Sequence, residues 1–381
     1  MNMDLRSLSL TLTQDCNMRC PYCFCGEKRR DHMDLETAKK AVRWLLDNSR
    51  RSEVEITLFG GEPLLRMELI RDLVPWANAV ANEQGRTIRW NMTTNGLMLD
   101  VPLIEELKDL GIWYMLSHDG LPCIQDTNRP LAGGAGSYTT LQRKIPNILA
   151  HNPRTMVRAS VSPEHVHLFA ATMMHLRGLG FRRLMSSPVY EGDWTESRIA
   201  TYLEQITTLA NWFIQGFKQG DPVTALKVLD DGLQDHLRPR RSRRQFGCGA
   251  GRTMVSVGVD GALYPCHRFD DFEEQGDWRK KQWAIGHIEE GVIRYDVLTW
   301  WFQRPRRYRA EEPVLHYCPA SNILATGDPH GLPALDKAAQ IHTRAEAARI
   351  HEELKNDRGY QHYIRRFTRQ KEGNSCHRDG V

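Results

Sequence analysis

Three cysteines within eight positions, Cys16, Cys20 and Cys23, constrain this chain more than anything else in it. They lie in the run Asp15-Cys16-Asn17-Met18-Arg19-Cys20-Pro21-Tyr22-Cys23, directly after a strand-like opening at residues 7–13. An iron-sulfur cube held wholly by protein takes four cysteines, so three at this spacing leave one iron open. An open position marks a metal site as catalytic rather than structural. A zinc site that recruits Cys25 as its fourth thiolate is the alternative that the triplet leaves open.

At 381 residues the chain is long enough for two or three domains, or for one large α/β unit with additions. Its net charge is only +4, so by charge the whole molecule is no polyanion binder. The arginine clusters at 238–244 and 304–309 read as solvated loops. Nine cysteines, an odd number with three crowded together, make no disulfide framework and fit a reducing cytosol. The N-terminus has no apolar signal core, and no stretch approaches the roughly 20 apolar residues of a membrane span. The expectation is a cytoplasmic protein with neither membrane nor nucleic acid as partner.

From the N-terminus to about residue 195, β-rich runs at 7–13, 54–59, 87–93, 112–116, 155–161 and 182–187 alternate with helical patterns. In the stretch 35–48, Leu35, Ala38, Val42 and Leu45 share a face and Asp34 can cap the start. Such alternation predicts parallel strands with crossover helices. Six units make a partial α/β barrel whose site lies beyond the C-terminal strand ends, where the cysteine loop falls. Beyond this core at 1–195, the chain divides into a helical linker with a basic segment (196–245), a small cysteine-bearing β-module (246–327), and a charged helical segment with its tail (328–381). The module opens on a β-branched run at 253–259, a hairpin turn at Asp260-Gly261 and a return strand from Ala262.

The second strand ends in Leu58-Phe59-Gly60-Gly61-Glu62-Pro63, and with the cysteine loop this makes the chain resemble the radical S-adenosylmethionine (radical SAM) superfamily. That family pairs a C-x3-C-x2-C loop after strand one with a GGE(P) motif after strand two, in a partial barrel of six βα units. Glycines without β-carbons let backbone carbonyls approach a charged amino group, and Glu62 adds a carboxylate. The resemblance implies further SAM contacts. Tyr22 is the aromatic near adenine, Asn95 in Thr94-Asn95-Gly96 faces the nucleoside, and Ser117 and Asp119 in Ser117-His118-Asp119-Gly120 contact ribose. Arg129 holds the methionine carboxylate, which a guanidinium fork suits. It also implies that the methionine end chelates the open iron, that a low-potential donor such as flavodoxin or ferredoxin supplies one electron, and that SAM breaks to a 5'-deoxyadenosyl radical that abstracts hydrogen.

Cys248, twelve residues, Gly261, four residues and Cys266 resemble the opening of the SPASM and twitch domains that follow some radical SAM barrels. Cys318-Pro319-Ala320-Ser321-Asn322 resembles the last cysteine of their second ligand run, whose first three cysteines are missing here. Cys248, Cys266 and Cys318 therefore imply one auxiliary iron-sulfur cluster at most, with an iron open to His267 or substrate. Such relatives mostly modify peptides or proteins. The implied fold is α/β, a partial (β/α)6 TIM-like barrel followed by a twitch-type module. The implied function is peptide maturation by crosslinking or oxidation, and formylglycine formation in a sulfatase is the alternative. Cys16 lies too near the N-terminus for a peptide-recognition domain before the barrel, so a separate protein is expected to recognise the substrate. His267, after the second module cysteine, is the candidate catalytic base. A zinc-dependent nucleic-acid-binding protein would leave the Gly60–Pro63 and Ser117–Gly120 runs without a role.

Overall fold

The computed structural model describes residues 4–221, 224–238, 249–270, 277–302, 318–327 and 333–368. Its first half alternates β1 (Ser7–Thr13), α1 (Leu35–Asp47), β2 (Glu53–Gly60), α2 (Met67–Glu83), β3 (Thr87–Thr94), α3 (Val101–Asp109), β4 (Ile112–Ser117), α4 (Pro122–Asn128), α5 (Tyr138–His151), β5 (Met156–Val161), α6 (Phe169–Gly178) and β6 (Arg183–Pro188). All six expected strands are present, and their ends are displaced by one residue at most. Asp34 caps α1 as expected, accepting from the Thr37 amide at 2.7 Å.

Strands β1 to β6 pair in parallel in chain order. Alternation along each strand divides the molecule into an outer apolar layer and a polar interior. On β2, Val54, Ile56 and Leu58 are buried in the core that includes Ile70, Leu73 and Ala77 of α2. On β5, Val157, Ala159 and Val161 are buried likewise, while Arg158 and Ser160 line an internal pocket. β1 is buried on both rows, Leu8, Leu10 and Leu12 on one and Ser9, Thr11 and Thr13 on the other. Small hydroxyl side chains leave room at the centre, and Thr11 donates to Asp270 far along the chain.

After β6 come α7 (Glu196–Lys218), β7 (Ala225–Leu226), α8 (Lys227–Leu237), β8 (Met254–Val257), β9 (Ala262–Tyr264), β10 (Gly286–His287), β11 (Gly291–Val292), α9 (Tyr295–Phe302), α10 (Pro319–Thr326), α11 (Ala334–Leu354) and α12 (Arg358–Thr368). The expected hairpin forms between β8 and β9, with Gly261 at φ +87° in its turn. β8 also pairs in parallel with β1, Ser7 opposite Met254 and Leu10 opposite Val257. The module strands thus continue the barrel sheet, whose order is β11-β10-β9-β8-β1-β2-β3-β4-β5-β6-β7. The stretch read as a helical linker also holds a strand, because β7 pairs with β6. α11 packs on α7 and α8, with Thr207 donating to Glu346 at 2.7 Å and Lys218 paired to Glu353 at 2.8 Å. Among the described residues no helix is long and apolar enough to cross a membrane.

Candidate active site

Residues after β1 and at the C-terminal ends of β2 to β6 line one pocket. They include Cys16, Cys20, Cys23, Gly60, Gly61, Glu62, Asn95, Ser117, Arg129 and Ser160, with Ser187 and Val189 at the far side. A sheet whose successive strand ends meet one cavity is curled, which is the partial barrel expected. Pro63 lies outside the lining, buried at the start of a 3-10 turn, Pro63–Arg66.

The two glycines of the Gly60-Gly61-Glu62 run do more than open space for a ligand. A β-carbon on Gly60 would stand 2.2 Å from the Thr13 carbonyl oxygen, and one on Gly61 would stand 2.0 Å from that of Asp15. Their absence lets the end of β2 lie flush against the chain entering the cysteine loop. The Gly61 amide donates to the Thr13 carbonyl at 2.8 Å and the Glu62 amide to that of Asp15 at 2.9 Å. Gly60 also has φ +129°, a conformation that favours glycine. Glu62 is buried, and its carboxylate accepts from Leu64 N (3.1 Å), Thr94 Oγ1 (2.8 Å) and Asn95 N (2.8 Å). Burial lifts its carboxyl to about 7, and those donors resist the lift. It ties the ends of β2 and β3 together, and Asn95 passes the connection to the cysteine loop by donating to Asn17 Oδ1 at 2.6 Å.

Asp119 is a second hub, fully buried behind the wall rather than on it. Its carboxylate accepts from Tyr22 OH at 2.5 Å, Ser160 N at 2.8 Å and Asn128 Nδ2 at 3.3 Å, and Arg129 Nε stands 3.0 Å from it. The Arg129 guanidinium lies 5.5 Å from the centre of the Tyr22 ring. Tyr22 and Arg129, implied SAM contacts from distant stretches, are thus held against each other by Asp119. Ser117 lines the pocket beside them.

The thiols of the loop differ. Burial pushes Cys16 up to about 12 and raises Cys20 as well. Cys23 is held well below the usual thiol range, first by a hydrogen bond from Cys25 and then by Lys28, whose Nζ is 3.0 Å from its sulfur. The Met18 amide donates to the Cys16 sulfur at 3.4 Å. Three sulfurs lining one cavity, with N–H groups and an ammonium directed at two of them, suit a cluster of net negative charge bound through thiolates.

In the module, Cys266 and Cys318 meet in one small apolar cluster with Ala250, Tyr264, Phe269, Trp278 and Ile323. Cys266 is pushed up to about 12 by burial and then by the nearby Cys318. Cys318 caps α10, its sulfur accepting from the Ser321 amide at 3.4 Å. Cys248 and Cys376 lie outside the described residues. Cys25 is buried beside Cys23, and Cys123 is exposed on α4. His267 packs its ring 4.5 Å from that of Phe59 and 6.0 Å from that of Phe24, two residues of the pocket wall. Burial, with Arg158 and Arg268 nearby, lowers its imidazole to about 4, so it is neutral. Lys28, Arg158, Arg268 and Glu191 were missed by motif reading. Lys28 carried a signal in its closeness to Cys23, and Arg158 in its alternation with the buried residues of β5.

Residues 10–152 match the family model described as the Radical SAM superfamily, and that match supports an enzyme. Among curated proteins, an uncharacterized protein of Methanocaldococcus jannaschii is 35% identical over 35% of this chain and 45% of its own length. Fe-coproporphyrin III synthase of Methanosarcina barkeri is 27% identical over 41% of this chain and 37% of its own. A probable GTP 3',8-cyclase of Methanococcus maripaludis is 30% identical over 29% and 34%. The matches span less than half the length of these relatives. Among solved structures, native anSMEcpe with bound AdoMet superposes with TM-score 0.71 at 17% identity, covering 95% of this chain and 99% of that one. Streptococcus suis SuiB bound to the precursor peptide SuiA gives 0.55 at 15%, covering 88% and 76%. At such identities the likeness is one of fold, and with anSMEcpe it extends past the matched residues 10–152 to nearly the whole chain.

Proposed function

We propose that the protein is a radical SAM enzyme that modifies a side chain of a peptide. The observation that carries this reading is the single pocket in which Cys16, Cys20 and Cys23 meet Gly60, Gly61, Glu62 and the Tyr22-Asp119-Arg129 group. In this reading the three thiolates hold a four-iron cluster with one iron open to S-adenosylmethionine, which supplies a 5'-deoxyadenosyl radical when reduced. The protein's own part is positioning. The backbone at Gly60 and Gly61 receives the methionine amino group, Arg129 its carboxylate, and Tyr22, Asn95 and Ser117 the nucleoside. Asp119, closed off behind the wall, orients Tyr22 and Arg129 and acts on ribose only through them. His267, neutral and packed against Phe59, braces that ring and is in the form a candidate base needs.

A peptide is favoured as substrate because the folds that cover most of this chain include anSMEcpe solved with AdoMet and the Cp18Cys peptide, and SuiB solved with SuiA. Cys266, Cys318 and Cys248 are the proposed ligands of one auxiliary cluster. A flavodoxin or ferredoxin is the proposed electron donor, and a separate protein the proposed reader of the substrate. Anoxically reconstituted enzyme with S-adenosylmethionine and reductant should form 5'-deoxyadenosine. With candidate peptides, loss of two hydrogens and a new internal bond would identify crosslinking, and loss of about 18 Da from a cysteine peptide would identify formylglycine. Turnover of a tetrapyrrole or nucleotide, with every peptide unchanged, would overturn the peptide assignment.

A further inference from the structure

Three guanidinium groups converge on the pocket, from Arg129, Arg158 and Arg268. Two have acid partners. Arg129 stands against Asp119 at 3.0 Å, while Arg268 is bonded to Glu191 and lies 4.7 Å from the centre of the Phe24 ring. Arg158 has neither an ion pair nor a side-chain hydrogen bond among the described residues, and its Nε is closed off from water. A half-buried cation without an acid partner, opening on a pocket, is one that an entering anion would stabilise. Here burial, Arg268 and Arg129 together bring the Arg158 guanidinium below its ordinary range. The charge of Arg129 bears on Tyr22 and Cys20, at the cysteine loop, and that of Arg158 bears on Tyr22 as well but also on His267 and Tyr190, farther toward the module. A ligand bound by the cysteine loop and Arg129 leaves Arg158 still in need of an anion.

We infer that Arg158, with Arg268 beside it, anchors a carboxylate of the substrate. The substrate then enters with an acidic side chain or its C-terminal carboxylate against β5. A bidentate contact to the Arg158 fork would neutralise the unpaired charge and fix the reacting carbon relative to the cysteine loop. The inference rests on the peptide reading above, but its test is a binding measurement that does not require turnover.

The probes are acetyl-Gly-Glu-Gly-amide, acetyl-Gly-Gly-Gly with a free C-terminus, neutral acetyl-Gly-Gln-Gly-amide and inorganic phosphate. Each is titrated by ligand-observed NMR into full-length reconstituted protein saturated with S-adenosylmethionine. One carboxylate probe should bind about tenfold or more tightly than the glutamine peptide, and which of the two does so tells a side-chain from a C-terminal carboxylate. Arg158→Gln should erase that preference and Arg158→Lys should keep part of it, while affinity for S-adenosylmethionine changes less than about twofold. Should Arg158→Gln not fold, the decision rests on Arg158→Lys, which must weaken the carboxylate probe and spare the neutral one. No preference in the wild type, a preference that survives Arg158→Gln, binding of phosphate alone, or collapse of S-adenosylmethionine affinity in the variant would each overturn the inference. Absence of 5'-deoxyadenosine from the wild type would instead sink the radical SAM reading, with the carboxylate preference still readable.

Discussion

The two cysteine-bearing regions of this molecule differ in what stands around their sulfurs, because the cysteine loop adds polar groups to apolar packing and the module has apolar packing alone. In the loop, Cys23 has Lys28 on its sulfur, and hydrogen bonds through Asn17, Asn95 and Glu62 run beside Cys16, which packs with Cys20 against Met18, Leu97 and Leu141. Cys266 and Cys318 lie among alanine, aromatic and isoleucine side chains in a module packed on the edge of β1. In the first region the surroundings already hold one thiol as its anion. In the second, burial holds Cys266 protonated, and only a bound metal would offset that.

The sharpest way to break this comparison is to remove each set in turn. Replacing Cys16, Cys20 and Cys23 with alanine should abolish S-adenosylmethionine cleavage while leaving about four irons per chain. Cys266→Ala with Cys318→Ala should remove those four and spare cleavage in the absence of peptide. Iron and sulfide analysis beside 5'-deoxyadenosine measurement checks both, and cleavage that survives the first variant would end the contrast.

Thiol labelling of metal-free protein comes next. Cys23, whose folded pKa is lowered, is a thiolate at neutral pH and loses that form only as pH falls through its depressed value. Cys266 and Cys16, whose values are raised to about 12, stay protonated throughout the neutral range. Iodoacetamide followed by peptide mapping should modify Cys23 on the order of a hundredfold faster than Cys266 near pH 7. The Cys23 rate should stay nearly flat through the neutral range, whereas that of an ordinary thiol climbs with pH. Equal rates would mean that the polar setting does not ionise its cysteine.

Gly61→Ala probes the framework of the first region without replacing a proposed cluster cysteine. Its β-carbon would meet the Asp15 carbonyl, so the variant should lose about 1–3 kcal/mol in denaturant titration and bind less iron at the loop. The smallest effect is expected from Lys28→Met, which removes one of the groups that hold Cys23 down. Its labelling near pH 7 should slow by a few fold, and an unchanged rate would leave Cys25 as the sole cause.

The six barrel strands were legible because each pairs a β-branched or aromatic run with a helix of clear period, as at α1 with its Asp34 cap. The C-terminal helices were legible for the same reason, and the Asp260-Gly261 turn announced its hairpin. The ligand loop was legible because cysteine spacing and the Gly-Gly-Glu-Pro run carry their chemistry in adjacent residues. The small hydroxyls of β1 gave no warning that Thr11 would reach Asp270.

Local pattern thus determined the elements, their parallel pairing and the cysteine loop. Tertiary structure alone decided that β8 would lie on β1, because a strand's partner depends on which edge the other five leave free, and nothing within residues 254–257 records that. It also decided that Asp119 would turn inward to clasp Tyr22 and Arg129, and that Arg158 would face the pocket without an acid. The reason is the same in each case. Pairing of buried charges and filling of sheet edges are settled by groups far apart in the chain, whose distances exist only once the sheet has curled.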